Sequence, residues 1–172
     1  MSRRATSRGP SSRRANDRAL ATEFDSADES PGFLLWRVTN RWQAAQRKSL
    51  KPYGLTHVQF VLLASLFWIQ DKGPVTQRQL ADHAATDPMM TSQVLRALEG
   101  RGLVKRSPFP GDGRAIALRV SAKGATLANR ALGEVERCDR EFFQRLAKDR
   151  STLSRLLREL VAEDPHGIHG DR

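Results

Sequence analysis

Between Gly73 and Ser121 the chain carries start and stop signals for two short helices, followed at once by a hairpin pattern, and that order leaves few folds open. Thr76 and Gln79 form a capping box, in which the threonine hydroxyl takes an otherwise unpaired helix amide and the glutamine reaches back to the threonine N–H. Val75 and Leu80 flank it as a hydrophobic staple. Asp87-Pro88 is a second start signal, because aspartate accepts a bond from a free amide and proline at the first helical position has none to leave unsatisfied. The helix it opens should run to Arg101, about residues 87–101. Gly102 stands where a left-handed residue is wanted, and Leu103 beyond it would touch Leu98 as in a Schellman cap. Ala84 to Thr86 make the turn between the two helices.

At 3.6 residues per turn, Met90, Thr91, Val94, Leu95 and Leu98 of the second helix fall on one side, the expected buried stripe. Met89, Ser92, Gln93, Arg96 and Glu99 fall on the other. Such a face could be an ordinary solvated one. It is also equipped to read base edges: glutamine pairs bidentately with adenine, arginine with guanine, and an apolar side chain packs on a thymine methyl. Strand signals follow immediately, Val104 to Ser107, the loop Pro110-Gly111-Asp112-Gly113-Arg114, then Ala115 to Val120, placing a wing at about 104–120. In the second strand Ile116, Leu118 and Val120 alternate with Ala115, Ala117 and Arg119, the period of a half-buried strand. Arg114 at the end of the loop is suited to a phosphate or a narrow minor groove, with Asp112 supporting the loop. Arg106 and Lys105 add to the basic surface.

The run from Leu80-Ala81 through Leu98-Glu99-Gly100-Arg101-Gly102-Leu103-Val104 to Asp112-Gly113-Arg114 and Leu118-Arg119-Val120-Ser121 resembles the MarR family of winged-helix regulators, and the likeness covers about residues 33–162. Its most specific part is the wing, where family members carry aspartate, any residue, arginine, alternating apolar residues, and a threonine or serine opening the next helix. The resemblance implies a homodimer on double-stranded DNA, usually a repressor, with the second motif helix in the major groove and the wing along the minor groove. It carries base contacts onto Met89, Met90 and Gln93 and the minor-groove contact onto Arg114. Thr91 departs from the pattern, where an apolar residue is commoner.

The flanks supply the scaffold. Phe33 to Lys51 reads as a helix stopped by Pro52 and Gly54, with Leu35, Val38 and Trp42 at spacings of three and four. Thr56 and Gln59 repeat the capping box, with Leu55 and Phe60 as staple. The helix from His57 to Ile69 is apolar nearly all round and belongs in the centre. Ser121 caps a long helix with the stripe Leu127, Ala131, Val135, Cys138, Phe142 and Leu146, and a last helix carries Leu153, Leu156, Leu157, Leu160 and Val161. These stripes exceed what one small winged helix needs for its own core. A twofold dimer accounts for them and also presents two reading heads about one DNA turn apart, roughly 34 to 36 Å, matching a pseudo-palindromic operator.

The expected fold is therefore mainly α with a small β-wing, a winged helix-turn-helix joined to a helical dimerisation layer. It divides into a basic then acidic unstructured tail (1–30), a first dimerisation helix (31–55), the winged region (56–120), dimerisation helices (121–163) and a mobile tail (164–172). The 172 residues carry 29 lysines and arginines against 19 acids, a formal charge of +10 that favours a polyanionic partner. Six arginines lie within residues 1–20, four acids within 21–30, and the remainder is itself basic. The arginine-rich tail could contact phosphates nonspecifically or serve only as a solubilising leader. No apolar run approaches the roughly 18 to 20 residues of a membrane helix, and no signal-peptide core is present, so a cytoplasmic protein without a membrane partner is expected.

Other chemistry finds little support. No phosphate-binding loop, nucleophile elbow or carboxylate pair points to an enzyme, no catalytic residue is assigned, and no cofactor is expected. His57 reads as a surface residue, and His57, His83, His166 and His169 do not make a metal site. Cys138, on an apolar stripe, reads as a small hydrophobe, with redox sensing as the alternative. A module using helix and wing for protein contacts is the alternative to DNA binding. Trp36, Trp42, Phe60, Phe67 and Trp68 are core residues by spacing, or else line an apolar pocket for a small aromatic ligand that releases the DNA.

Overall fold

A computed structural model describes residues 21–110 and 112–162, with side chains at all of these but 112–114. The arginine-rich tail and the C-terminal segment with His166 and His169 lie outside the described residues. The chain divides into two compact units, the first ending at Thr39 and the second beginning at Asn40.

In the first unit the acidic stretch, expected to be unstructured, closes one 3-10 turn at Ala27–Glu29. Local bonds account for it: Glu29 N donates to Ser26 O, and Asp25 N to the Glu29 carboxylate. Helix α1 (Pro31–Leu50) then begins, with Ser30 Oγ accepting from Phe33 N. Arg37 pairs with Asp28 and lies over the Phe33 ring, 5.7 Å from its centre. Phe33, Leu34, Leu35, Trp36 and Val38 are all exposed.

In the second unit both capping boxes form. Thr56 and Gln59 open α2 (His57–Ile69), and Thr76 and Gln79 open α3 (Gln77–His83), each threonine hydroxyl accepting from its glutamine amide at 3.2 Å. Between α1 and α2, Pro52 and a left-handed Gly54 turn the chain as expected. Helix α4 (Pro88–Gly100) is capped by Asp87, whose side chain accepts from Met90 N. It ends in the Schellman arrangement: Leu103 N donates to Leu98 O at 2.9 Å and Gly102 N to Glu99 O at 2.7 Å, with Gly102 at φ +69°. Leu50, Leu62, Leu63, Leu66, Leu80, Leu95, Leu98, Leu103 and Leu118 are fully buried, so the core gathers around α2 as its all-round apolar pattern implies. Trp68 is the exception on α2 and stands exposed.

The hairpin pairs β1 (Val104–Phe109) with β2 (Asp112–Val120), in register Val104 to Val120 through Pro108 to Ile116, with an irregularity between Pro108 and Phe109. Both strands reach further into the expected loop than the sequence suggests. A proline within a strand reads as a stop, but in a two-stranded ribbon every strand has an open edge where its missing N–H costs nothing. The expected alternation also fails. Ala117 is buried alongside Leu118, while Ile116 is exposed, because the root of the hairpin is enclosed and its outer part runs clear of the body. Leu118 N donates to Val75 O at 2.8 Å, which fastens that root to the segment before α3.

Ser121 caps α5 (Ala122–Phe142), its hydroxyl accepting from Gly124 N. The stripe expected to continue to Leu146 stops at Phe142. A separate 3-10 segment, Gln144–Asp149, follows, broken by Ala147 at φ +42°, so Leu146 is not on the α5 face. Helix α6 (Arg150–Val161) leaves Leu156, Leu157, Leu160 and Val161 exposed. Cys138 is buried on α5, as its place in the stripe predicts.

Gly124 has a steric reason that no local pattern signals. A Cβ built there would lie 2.1 Å from Leu103 O and 3.0 Å from Val120 Cγ1. Gly124→Ala must therefore push α5 away from the root of the wing. Urea denaturation should register a loss of about 3 kcal/mol, the upper range of core overpacking, whereas a loss below about 0.5 kcal/mol would mean that the close approach is not maintained.

Candidate nucleic-acid interface

The outer face of α4 is most open along its first two turns. Met89 is 71% exposed, Gln93 and Arg96 are exposed, and Ser92 is half-buried. Met90, placed by periodicity on the buried stripe, is 37% exposed instead. It belongs to the first turn, where α4 has not yet passed beneath its neighbours, and it faces solvent with Met89. Thr91, Leu95 and Leu98 carry the buried side, with Val94 half-buried beside them.

Hydrogen bonds hold that leading end. The Thr91 hydroxyl donates to Asp87 O at 2.8 Å and shares a 2.8 Å bond with the Thr86 hydroxyl, while Gln77 Nε2 reaches Pro88 O from α3. A fully buried threonine is thus satisfied without water, and the departure at Thr91 from the commoner apolar residue locks the turn onto the start of α4. Ala85, at φ +48°, lies in the same turn. Arg96 folds along the helix and donates to Ser92 Oγ at 3.3 Å.

Arg106 does not stand with the open cations. Its Nε lies 3.0 Å from the Glu99 carboxylate, and the side chain is only 28% exposed. The pair is sheltered on the Arg106 side and open on the Glu99 side, and it links α4 to β1. Six residues and a change of secondary structure separate the two, so no helical or strand spacing could have paired them. Lys105 and Arg119 face each other across the ribbon, both exposed. Asp112 and Arg114 belong to the backbone of β2, but their side chains lie outside the described residues.

The five aromatic residues do not form one set. Trp36 belongs to the first unit and is 66% exposed. Trp42 Nε1 and Gln46 Nε2 both donate to Asp139 Oδ1 at 2.7 Å, and His57 meets the Trp42 ring edge-on at 4.9 Å. His57 is thus half-buried rather than a surface residue, and burial lowers its pKa below the usual imidazole range, against the opposing pull of Asp139. Phe60, Phe67 and Trp68 alone share a groove, of about 260 Å3 between α2 and α5, closed by Ala128 and Leu132. No group of three potential metal ligands occurs among the described residues, and no single helix there is long and apolar enough to cross a membrane.

The sequence model of the MarR family matches residues 55–116, from the start of α2 into the wing. An HTH-type transcriptional regulator of Bacillus subtilis, YdcH, is 41% identical over 136 residues, covering 78% of this chain and 92% of that protein. The HTH-type transcriptional repressor Rv2887 of Mycobacterium tuberculosis is 35% identical over 139 residues, 80% of this chain and 98% of its own length. Among solved structures, Bordetella bronchiseptica BpsR, whose DNA binding is regulated by 6-hydroxynicotinic acid, superposes with a TM-score of 0.73 at 26% identity, over 80% of this chain and 96% of BpsR. With the capped helix pair, the wing and these relatives in agreement, the chain belongs to the MarR family of winged helix-turn-helix transcriptional regulators, which are DNA-binding proteins and not enzymes.

Proposed function

We propose that the protein works in the cytoplasm as a homodimeric repressor, setting α4 of each subunit into the major groove of a pseudo-palindromic operator and β1–β2 along the adjoining minor groove. The observation that carries this reading is the open leading face of α4, an apolar and amide surface whose backbone is pinned by Asp87, Thr86 and Thr91. A rigid face loses little entropy on docking, so its hydrogen bonds go to discrimination. Gln93 and Arg96 read base edges, Met89 and Met90 pack on thymine methyls, and Ser92 holds Arg96 in place. Arg114 grips the minor groove with Asp112 as support, and Arg106 acts through Glu99 by setting the angle of the wing. The exposed apolar side chains of the start of α1 and of α6 supply the surface that a second copy covers.

Binding of a small aromatic ligand in the α2–α5 groove, against Phe60, Phe67 and Trp68, would release the operator by favouring a spacing of the two recognition helices that does not match the DNA. BpsR, regulated by 6-hydroxynicotinic acid, supports this reading by analogy. Trp36 and Trp42 have no part in it.

Titrating duplex from the region upstream of its own gene, at several salt concentrations, separates these roles. Arg114→Ala should weaken binding almost evenly across sequences and lower the salt slope by about one per subunit. Gln93→Ala should cost about 1 to 3 kcal/mol, and only at particular base pairs. The reverse pattern would exchange the two assignments, and a wild-type protein with no affinity for duplex at low salt would end the operator reading.

Cys138 packs in the core, where oxidants have poor access. Peroxide should leave operator affinity unchanged. A large loss that Cys138→Ser prevents would make it a sensor after all.

A further inference from the structure

A second cavity, of about 530 Å3, lies where the end of α1, the end of α4 and the start of α5 meet, and the α2–α5 groove shares none of its residues. Its floor is apolar, from Tyr53, Leu103 and Leu127, and its rim carries Arg101, Lys123 and Arg130. No carboxylate lines it, and no ion pair among the described residues involves any of the three cations.

Two of the cations are positioned rather than loose. Arg101 Nη1 donates to Gly54 O at 2.8 Å, and Lys123 Nζ donates to Arg101 O at 2.9 Å. Each bond goes to a neutral carbonyl, so it fixes the side chain without cancelling its charge. A guanidinium has five donors and an ammonium three, so most of their hydrogen-bonding capacity is unspent. The amides at the start of α5 contribute less, since Gly124 N is already taken by Ser121 Oγ. The positive character of the cavity therefore comes from side chains.

Three uncompensated cations around an apolar floor select for a ligand with one anionic end and a hydrophobic body. Inorganic phosphate would satisfy the rim and waste the floor, and a neutral aromatic would do the opposite. The volume falls within the roughly 300 to 1,000 Å3 of small-molecule sites. We propose that this cavity binds an amphipathic organic carboxylate, its carboxylate held by Arg101, Lys123 and Arg130 and its body on Tyr53, Leu103 and Leu127. Such a ligand ties the C-terminal end of the recognition helix to α5 and is separate from any occupant of the α2–α5 groove.

Calorimetric titration of the full chain with 2-naphthoate, without DNA, tests the site independently of the operator reading. The wild type should bind one equivalent per chain at this site and bind 2-naphthamide at least tenfold more weakly. Arg130→Glu, at an exposed position with no side-chain hydrogen bond or ion pair among the described residues, should weaken naphthoate at least tenfold, and Thr126→Trp should do the same by filling the cavity. Absence of naphthoate binding at millimolar concentration, equal affinity for acid and amide, or affinity within threefold of wild type in both variants would each overturn the proposal.

Discussion

Leu103 bonds in two directions at once, and the joint between α4, the wing and α5 depends on it. Its N–H donates to Leu98 O and closes the end of α4, while its carbonyl accepts from Ser121 N, where β2 passes into α5. Ser121 adds a second tie, donating from its hydroxyl to Gly102 O at 2.7 Å while accepting from Gly124 N at 2.9 Å. Gly124 lets the start of α5 approach the Leu103 carbonyl more closely than any side chain would permit. Recognition helix, wing and the long following helix thus meet in one buried knot of backbone bonds. A rotation of α5 cannot be absorbed there by a soft side chain and must be passed on to α4 and β1.

The chemistry of the interface follows from what that knot leaves free. With its far end fixed, α4 is steadied at its near end by Thr86, Asp87 and Thr91, and along its side by the pair of Glu99 and Arg106. The Thr86, Asp87 and Thr91 groups are spent on one another and on the backbone of α4, while Glu99 and Arg106 form a charge pair. The remaining open face is weakly charged, so in the proposed complex it would contribute selectivity more than attraction, which would fall to the cations of the wing and of the wider basic surface.

Local chemistry explains how much of this was readable beforehand. Both capping boxes, the Asp87-Pro88 start, the Schellman end at Gly102 and the Ser121 cap involve groups within six residues of one another, and each formed as the residue types require. The order and ends of the helices follow from them. What the sequence concealed was contact at a distance. Glu99 with Arg106, Trp42 with Asp139, and Gly124 beneath Leu103 join residues on different elements, and none has a periodic signature. Periodicity also overreached wherever an element leaves the body: Met90 at the front of α4 and Ile116 along the wing are apolar and exposed, because the rule assumes a neighbour on the apolar side. The five aromatics, core residues by spacing or else the lining of one pocket, divide for a related reason. An indole N–H seeks a partner when buried, and Asp139 claims that of Trp42, away from the groove shared by Phe60, Phe67 and Trp68.

Helix α5 therefore sits between two cavities of opposite character. Residues 128 and 132 face the aromatic groove with α2, and residues 123, 126, 127 and 130 face the cationic cavity, which the 3.6-residue period places on the opposite side. A body filling either one bears on the same rigid helix, whose start is bonded to the end of α4. If both proposed sites were filled, pressure would come on α5 from opposite sides, so in the proposed dimer the two ligands need not act alike on the spacing of the recognition helices. On the proposed reading, whether a ligand strengthens or weakens operator binding would depend on which face of α5 it occupies, since only its preference between two arrangements can move the equilibrium.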